Sequence, residues 1–507
     1  MKQRAILPVT APVDETTDAP LRRFWWLKRI LLLIGVFIGF VVGSWFWLNH
    51  RAERQLAAEI ERWKQEGLPI SLADFTPPPV PDDQNAALAL NLAAHSIVDM
   101  KAWETQGYED GPFDKYPWSP QTKDDAEKAV AKNHVAFEKL RAVRGLPMAR
   151  WDLTVLDDIL GSKKDPRKPD FGALRHLANM TRTAARAAHT RGDDAAVLEY
   201  LHDLQFMART TAVEPSLISR LVSAGIDSMT ASLTTEVAHG LQLDTPELRA
   251  QARERIAEWL SADRAGKWKP IARETVQYLE IVDKLDAMPL YSRGQPQSLT
   301  GIFQTAGWRF PRPVRLRSTV STLARARREI LAARLPDWPA VSAALPRATW
   351  ARSFDSGVEP LGSMIRWTTQ FEFASDRYLI TCFRQQAQIS FAAIHLALRL
   401  YAIDHGGKNP SNLAELVPVY LPMLPRDPFN PNGGPLRYSS ATTQPFLYSL
   451  GTSPDPVVTG SYLPVLADHE NWRKPVFVSF LNPFLFPATR PTTGPATLPI
   501  SPKAGAE

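Results

Sequence analysis

The sequence predicts a mainly helical protein with three parts: an N-terminal transmembrane helix, a helical bundle or irregular solenoid, and a C-terminal unit that joins a long helix to a small antiparallel sheet. Three observations support this fold class. An uncharged apolar run occupies residues 30–48. Apolar residues then recur at spacings of three and four, which is the period of a helix. Short runs with alternating apolar residues follow the last helical pattern, as strands require.

The apolar run is long enough to cross a membrane. Residues 30–48 read ILLLIGVFIGFVVGSWFWL, and at a rise of about 1.5 Å per residue they nearly span a hydrocarbon core of roughly 30 Å. A cleaved signal peptide would have a shorter apolar run and a small-residue cleavage site, and neither is present. We assign the transmembrane helix to residues 24–48, so membrane lipid is its first predicted partner. The interfacial aromatic residues are Trp25, Trp26, Trp45 and Trp47.

Charge predicts the orientation of this helix. Basic residues precede it, whereas Glu53, Glu59 and Glu61 dilute the positive charge that follows it. By the positive-inside rule, residues 1–23 form a cytoplasmic tail and residues 49–507 lie in the periplasm of a bacterial inner membrane.

Three glycines divide the transmembrane helix at a regular spacing. Gly35, Gly39 and Gly43 recur every four residues and therefore share one helix face. Small residues at this spacing let two transmembrane helices approach closely. The face favours self-association and predicts a homodimer, although glycine is also common in transmembrane helices that do not associate.

A polar segment connects the transmembrane helix to the rest of the chain. Residues 49–82 predict a helical extension and a Pro-rich linker. The stretch TPPPVP at 76–81 cannot continue a helix and favours an extended form, so we expect a stiff spacer between membrane and body. Asp82 and Asp83 then offer an N-cap to a helix near 84–101.

Residues 83–362 form the predicted helical domain. Its clearest unit, 171–240, contains three helical patterns. An RGDD turn separates the first two, and Glu214-Pro215 opens the third, because proline suits the first turn of a helix. Further helices are predicted at 270–288 and 317–335.

Residues 363–485 form the predicted C-terminal unit. The stretch 363–404 contains neither proline nor glycine and predicts one long helix, or two helices joined by a short break. Residues 486–507 are rich in Pro, Thr and Ala and are predicted to be disordered. Strands are predicted at 436–438, 446–450 and 476–481.

Composition excludes several kinds of site. Half of the net charge of +6 lies in residues 1–29, which contain six basic and three acidic residues. The rest of the chain is nearly neutral, which argues against a nucleic-acid partner. Cys382 is the single cysteine, so it can form neither an intramolecular disulfide nor a cysteine-based zinc site. We expect it to be a small, buried or half-buried helix residue.

Catalytic motifs are missing from the sequence. It has no Walker A loop, no Gly-x-Gly-x-x-Gly after a strand, no Gly-x-Ser-x-Gly and no His-Glu-x-x-His. We therefore assign no catalytic residue, no cofactor and no metal site, and favour a protein without enzymatic activity.

Two Glu-x-x-His pairs deserve a geometric test. Glu199 with His202, and Glu236 with His239, have the spacing used in di-iron helical bundles. If their helices are antiparallel neighbours, the two histidines lie roughly 22 Å apart at the helical rise. Ligands of one metal centre must lie within a few ångströms of one another, so these pairs predict no such centre.

Other polar groups are interpreted as exposed helix faces. Asn91, His95 and Asp99 share one face at i, i+4 and i+8. Paired carboxylates are also ordinary on exposed helices. They are Asp157 with Asp158, and Glu280 with Asp283.

A series of motifs follows the long helix. They are Tyr401, Asp404 and Gly406 at the helix end, Asp427-Pro428-Phe429, and the strand segments LRY and FLYSLG. In this order they resemble the C-terminal part of a major pseudopilin, the pilin-like subunit of type II secretion systems, over residues 384–455. The resemblance implies a pilin-like helix-plus-sheet unit linked to secretion or pilus-like machinery. The rest of the chain loosely resembles uncharacterised membrane-anchored bacterial proteins.

The chain departs from the pseudopilin pattern in three places. An insertion at 430–434 lengthens the turn, and GTSPDPV at 451–457 replaces the acidic calcium-binding loop of the family. The prepilin-peptidase signal needs a glutamate five residues after its glycine, but the same step from Gly39 reaches Ser44. Assembly by the standard pilin route is therefore not expected.

The turn RDPFNPNGGPLRY, residues 426–438, predicts a structural closure. Asp427 is held extended by Pro428, and its carboxylate can accept backbone N–H groups of the next residues. Gly433 and Gly434 allow positive φ. On the strands, Leu436 and Tyr438 alternate with Arg437, and Phe446 and Tyr448 alternate with Leu447. Each strand is thus expected to turn one apolar face onto the long helix.

These observations favour a single-pass periplasmic scaffold or protein-interaction protein of the cell envelope, with an envelope protein as partner. The alternative is a periplasmic enzyme or small-ligand binder whose site lies between the helical body and the C-terminal unit.

Overall fold

The computed structural model of the chain describes residues 25–98, 116–146, 148–151, 168–261, 265–287, 312–345, 359–440, 445–449 and 477–480. Helices make up most of these residues, which confirms the mainly helical class.

The helices within the described ranges are α1 (Trp25–Gln65), α2 (Ala86–Ala94), α3 (Pro120–Lys132), α4 (His134–Val143), α5 (Phe171–Arg191), α6 (Asp194–Ala212), α7 (Leu217–Val237), α8 (Pro246–Ser261), α9 (Lys269–Ala287), α10 (Arg312–Ala333), α11 (Trp338–Ala344) and α12 (Glu359–Asp404). The strands are β1 (Arg437–Ser439), β2 (Phe446–Ser449) and β3 (Phe477–Phe480).

Helix α1 carries the apolar run and the polar extension on one unbroken helix of 41 residues. The apolar half is exposed, whereas the second half buries one face. The buried positions are Asn49, Ala52, Glu59 and Trp63. Among the residues that the structure describes, α1 is the one helix long and apolar enough to cross a membrane. Its length and composition therefore fit the predicted span.

The second half of α1 packs chiefly against α10. Near its start, Glu53 Oε1 lies 3.1 Å from Arg312 Nη2. Further along, Trp63 Nε1 donates to the carbonyl oxygen of Leu323 at 3.3 Å. Residue numbers rise together on both helices, so α1 and α10 run parallel.

The predicted spacer role of the Pro-rich segment is wrong. The body contacts α1 directly, because α10 packs beside the first turns that follow the apolar run. The linker instead follows the body surface, where Leu72 N donates to Glu280 Oε1 of α9 at 3.4 Å. Residues 76–81 connect α1 to α2, and they do not set the distance between the membrane and the body.

Two predicted helix starts also need correction. Asp82–Gln84 forms a short 3-10 turn, and Asn85 caps α2 by accepting from Ala87 N at 3.1 Å. Asn85 is suited to this role because its side chain also bonds both the backbone N–H and the carbonyl of Arg150, which holds the residue in place. In α7 the N-cap is Ser216, so Pro215 precedes the helix instead of forming its first turn.

Helices α5, α6 and α7 form the centre of the body, each packed against the other two. Gly192 has a φ of 73° and ends α5, and Asp193 caps α6 by accepting from Ala196 N at 3.0 Å. A turn between α6 and α7 brings Ser223 Oγ within 2.8 Å of the carbonyl oxygen of Ala208. These contacts make the three helices antiparallel neighbours in chain order.

Helix α12 is a single rod of 46 residues, about 69 Å long at the helical rise. It packs along α7, where Gln385 bonds Asp227, and along α8. Residues 389–398 are buried on every side, which is typical of a central core helix. The helix ends where Gly406 adopts a φ of 63°.

The sheet has the order β1-β2-β3, and both pairs are antiparallel, as predicted. Tyr438 pairs with Leu447, which in turn pairs with Ser479. The expected single apolar face of β2 is wrong, because Phe446 and Leu447 point to opposite faces and both are buried. Both faces of β2 are therefore covered, and because it is the middle strand of the sheet, both of its edges are paired as well.

The hydrophobic core is continuous from α1 to the sheet. It includes Trp63 of α1, Leu201 of α6, Phe383 of α12, Phe429 of the turn and Leu447 of β2. The long helix α12 therefore contributes to one core that is shared by the helical body and the C-terminal sheet.

The buried carboxylate of Glu59 allows a test of the α1–α10 interface. It is 2% exposed and lies 2.8 Å from Arg327 Nε and 2.9 Å from Arg62 Nη1. Glu59→Gln is expected to destabilise the fold by about 2 kcal/mol, because Arg327 loses its buried anionic partner and keeps only Glu66. Thermal unfolding of the detergent-solubilised protein measures this change.

The matched control is Glu61→Gln, two residues away on the exposed side of the same helix. Glu61 lies 3.7 Å from Lys64 in a solvent-exposed pair, and such pairs contribute little. Equal unfolding midpoints for both variants would contradict the interface described above.

Candidate functional site

The turn that follows α12 is closed by a buried carboxylate. Asp427 is 2% exposed. Its Oδ1 accepts from Phe429 N at 2.9 Å, and both oxygens lie within 2.9 Å of Ser449 Oγ, which donates from β2. The carbonyl oxygen of Pro428 accepts from Trp338 N of α11 at 2.8 Å. The turn thus links the sheet to the helical body.

The inserted residues in this turn form their own contacts. Asn430 Oδ1 accepts from Asn432 N at 3.0 Å. Gly433 has a φ of 66°, whereas Gly434 does not have positive φ, so only the first of the two uses this freedom. A Cβ at Gly434 would lie 2.9 Å from Asn430 Nδ2, so a larger residue there would require the Asn430 side chain to move.

The residues that close α12 connect it to its neighbours. Asp404 Oδ1 lies 2.9 Å from Arg249 Nη1 of α8, and Oδ2 accepts from the Tyr420 hydroxyl at 2.9 Å. Burial and the hydrogen bond to Asp404 raise the pKa of Tyr420 to about 12. Tyr401 stacks on His405 with ring centroids 3.8 Å apart. Side-chain contacts of Asp404 with Arg249 and Tyr420 therefore join the helical body to the C-terminal unit.

The three glycines of the apolar run lie on the exposed half of α1. A Cβ added at Gly35, Gly39 or Gly43 would meet nothing within 4 Å. This face is uncovered within the chain, and self-association through it stays a prediction.

The two Glu-x-x-His pairs belong to separate networks. Glu199 pairs with Arg144 of α4, whereas Glu236 pairs with Arg186 of α5. The described part of the chain holds no group of three or more His, Cys, Asp or Glu side chains arranged to bind a metal ion.

The first network, which we call the α6 network, comprises Arg141, Arg144, Glu199, His202 and Asp203. Glu199, His202 and Asp203 lie at i, i+3 and i+4 on α6. Arg141 and Arg144 lie three residues apart at the C-terminal end of α4, so the two sets face each other. Arg144 lies at the centre, 2.7 Å from Glu199 Oε2, 2.8 Å from His202 Nδ1 and 3.3 Å from Asp203 Oδ1.

Protonation in the α6 network follows from burial and charge. His202 Nδ1 accepts from Arg144, so the neutral ring carries its proton on Nε2. Burial and the charges of Arg255 and Arg144 lower the pKa of His202 to about 4. Burial raises the pKa of Asp203 to about 6, against the opposing effect of Arg144 and Arg141. Asp203 is completely buried, so it can exchange a proton but cannot reach a substrate.

The second network encloses a histidine between α5 and α7. Arg186 donates to both carboxylate oxygens of Glu236 at 2.7–2.9 Å, and its guanidinium lies 5.5 Å from the Tyr116 ring centroid. The Tyr116 hydroxyl lies 2.6 Å from His189 Nδ1. A Cβ at Gly240 would lie 2.5 Å from His189 Nε2. Both ring nitrogens are therefore covered by protein, and the network has a structural role.

Cys382 is half-buried on α12. Burial raises the pKa of its thiol to about 11. The thiol is therefore protonated at neutral pH, and a protonated thiol is a poor nucleophile.

Asn91 is buried, and its expected solvent-exposed position is wrong. Its Nδ2 donates to the carbonyl oxygen of Lys168 at 2.9 Å, and its Oδ1 accepts from Asp170 N at 3.0 Å. His95 Nε2 lies 3.3 Å from the Asp170 carboxylate. This junction was missed because its partners lie far along the chain. Asp99, Asp157 and Asp158 lie outside the described residues.

Comparisons with family models, with curated proteins and with solved structures find no match to this chain. The fold and contacts thus define the class of protein: mainly helical, with one apolar helix of membrane-spanning length and a small C-terminal sheet. The resemblance of residues 384–455 to a pseudopilin stays a proposal.

Removal of the buried carboxylate in the turn is expected to destabilise the C-terminal unit. Asp427→Ala leaves Ser449 Oγ and Phe429 N without their shared acceptor, which should cost about 2–4 kcal/mol. Urea unfolding of the purified protein, followed by tryptophan fluorescence, measures the loss. Asn432→Ala is the control, because Asn432 is exposed in the same turn. A loss no larger than that of the control would show that the carboxylate does not hold the turn.

The α6 network is expected to give two opposing pH effects. The lowered pKa of His202 contributes stability above pH 6.5 that is lost as pH falls toward 4. The raised pKa of Asp203 contributes stability below pH 3.8 that is lost as pH rises through about 6. Between pH 7 and 5, acidification therefore acts on the two groups in opposite directions.

Two variants separate these effects. His202→Gln should make the unfolding temperature fall less than in the wild type when the pH is lowered from 7 to 5. Asp203→Asn should make it fall more. Differential scanning calorimetry at both pH values measures the two differences. Parallel pH profiles for the wild type and both variants would rule out this account of the network.

Proposed function

We propose that the protein is a single-pass scaffold or interaction protein of the bacterial inner membrane, with residues 49–507 in the periplasm. The observation that carries this proposal is the continuity of α1. One helix contains the apolar run of membrane-spanning length and the buried interface with α10. The anchor and the body are therefore parts of one folded unit.

Continuity of this kind suits a scaffold. A flexible linker would leave the body free to rotate above the membrane. Here Glu59 of α1, about 16 Å beyond Leu48 at the helical rise, is bonded to Arg327 of α10, so the body keeps one orientation relative to the anchor. A protein that presents a surface to an envelope partner benefits from a defined orientation.

The C-terminal unit presents apolar side chains that such a partner would cover. Val419 and Met423 are 60% and 68% exposed, and they lie four residues apart in the segment that follows α12. Large exposed apolar side chains are characteristic of protein interfaces, and methionine is enriched there. We assign the partner contact to this segment. The link to secretion or pilus-like machinery rests on the pseudopilin resemblance alone.

The enzyme or ligand-binding alternative is less well supported. It requires a site between the body and the C-terminal unit. In that region Arg249 and Tyr420 both bond Asp404, and Trp338 bonds the turn. These contacts favour a rigid junction.

A photo-crosslinking amino acid at Met423 tests the proposed contact in living cells. We expect one dominant adduct with an envelope protein, recovered in the membrane fraction. The control is the same probe at Lys408, an exposed polar position in the same unit, which should give no adduct. Equal results at both positions, or adducts only with soluble cytoplasmic proteins, would contradict the proposal.

A further inference from the structure

The parallel packing of α10 on α1 places the start of α10 close to the end of the apolar run. The run ends at Leu48, and Arg312 contacts Glu53, five residues later. At the helical rise this is about 7.5 Å along the axis. The polar layer on each side of a hydrocarbon core is roughly 5–8 Å thick. The first turn of α10 therefore lies at the level of lipid headgroups.

Arginines dominate the surface at this level. Arg51 and Arg54 are exposed on α1, and Arg312 is exposed on α10. Their acidic neighbour is Glu53, which pairs with Arg312. The next acidic residue along α10 in the sequence is Glu329.

The same level carries an interfacial aromatic contact. The guanidinium of Arg51 lies 5.3 Å from the ring centroid of Trp47. Tryptophan favours the boundary between hydrocarbon and headgroups, so Arg51 is placed where phosphate groups would lie.

We propose that Arg51, Arg54 and Arg312 form a surface that binds anionic phospholipid headgroups in the leaflet from which residue 49 emerges. This inference rests on the proposed membrane anchoring and deepens it. Positive side chains within about 10 Å of an anionic surface are attracted to it, and guanidinium groups match phosphate geometry. Because α1 and α10 both contribute, the body would contact the membrane beside its anchor as well as through it.

The experiment uses the full chain reconstituted in nanodiscs that contain equal amounts of phosphatidylcholine and phosphatidylglycerol. After gentle release in detergent, native mass spectrometry measures the ratio of the two lipids that the protein retains. The wild type should retain phosphatidylglycerol in excess, and about 0.5 M salt should reduce this excess by screening.

The test variant is Arg51→Gln with Arg54→Gln, which leaves the Arg312–Glu53 contact in place. The control is Arg328→Gln with Arg437→Gln, two exposed arginines away from this level. The test variant should retain about half as much phosphatidylglycerol as the wild type, and the control should match the wild type. Equal retention by all three proteins would overturn the lipid surface while leaving the anchor intact. If no version enters nanodiscs, the proposed anchoring fails, and this inference fails with it.

Discussion

The position of the whole body depends on the contact between α1 and α10. Glu59 is almost completely buried there, and a carboxylate in that position needs a cationic partner to offset its loss of hydration. Arg327 supplies this partner, and its Nη1 also lies 2.5 Å from Oε1 of Glu66, the first residue after α1. Sliding the helices past each other would separate these charges. The ion pairs therefore specify the register of α10 on the anchor helix.

Similar pairs specify how the other helices meet. Arg186 of α5 is bonded to Glu236 of α7, and Arg273 of α9 lies 3.0 Å from Glu214, with both side chains about 6% exposed. Apolar faces built largely from alanine and leucine can slide or rotate at a small cost. A buried arginine that fits one carboxylate cannot, because a shifted arrangement leaves both groups unpaired. The buried polar networks of this protein are therefore better interpreted as determinants of how its helices pack than as catalytic groups.

The sequence predicts the elements of this fold much better than their contacts. The length of α1 and the helices between 171 and 261 follow from local periodicity, which depends only on near neighbours, whereas the sequence left α12 open as one helix or two. The pair of Glu59 and Arg327 could not be predicted, because the two residues are 268 positions apart. The burial of Leu447 was missed for a related reason, since it depends on packing into the core with residues far away in the sequence. The α6 network combined one recognisable signal, the Glu199–His202 spacing, with arginines that no local pattern connects to it.

The central position of α12 limits how the C-terminal unit can act. Residues 389–398 are buried on every side, and the core that includes Phe383 extends from the body into the turn at Phe429. Separation of the long helix from α7 and α8 would expose this core and leave buried groups such as His395 without their surroundings. A pilin-like subunit that packs through its long helix would need that helix to be accessible. Here residues 378–400 of the helix are largely covered by their own chain, so we expect a partner to meet the outer surface of the unit, where Val419 and Met423 are exposed.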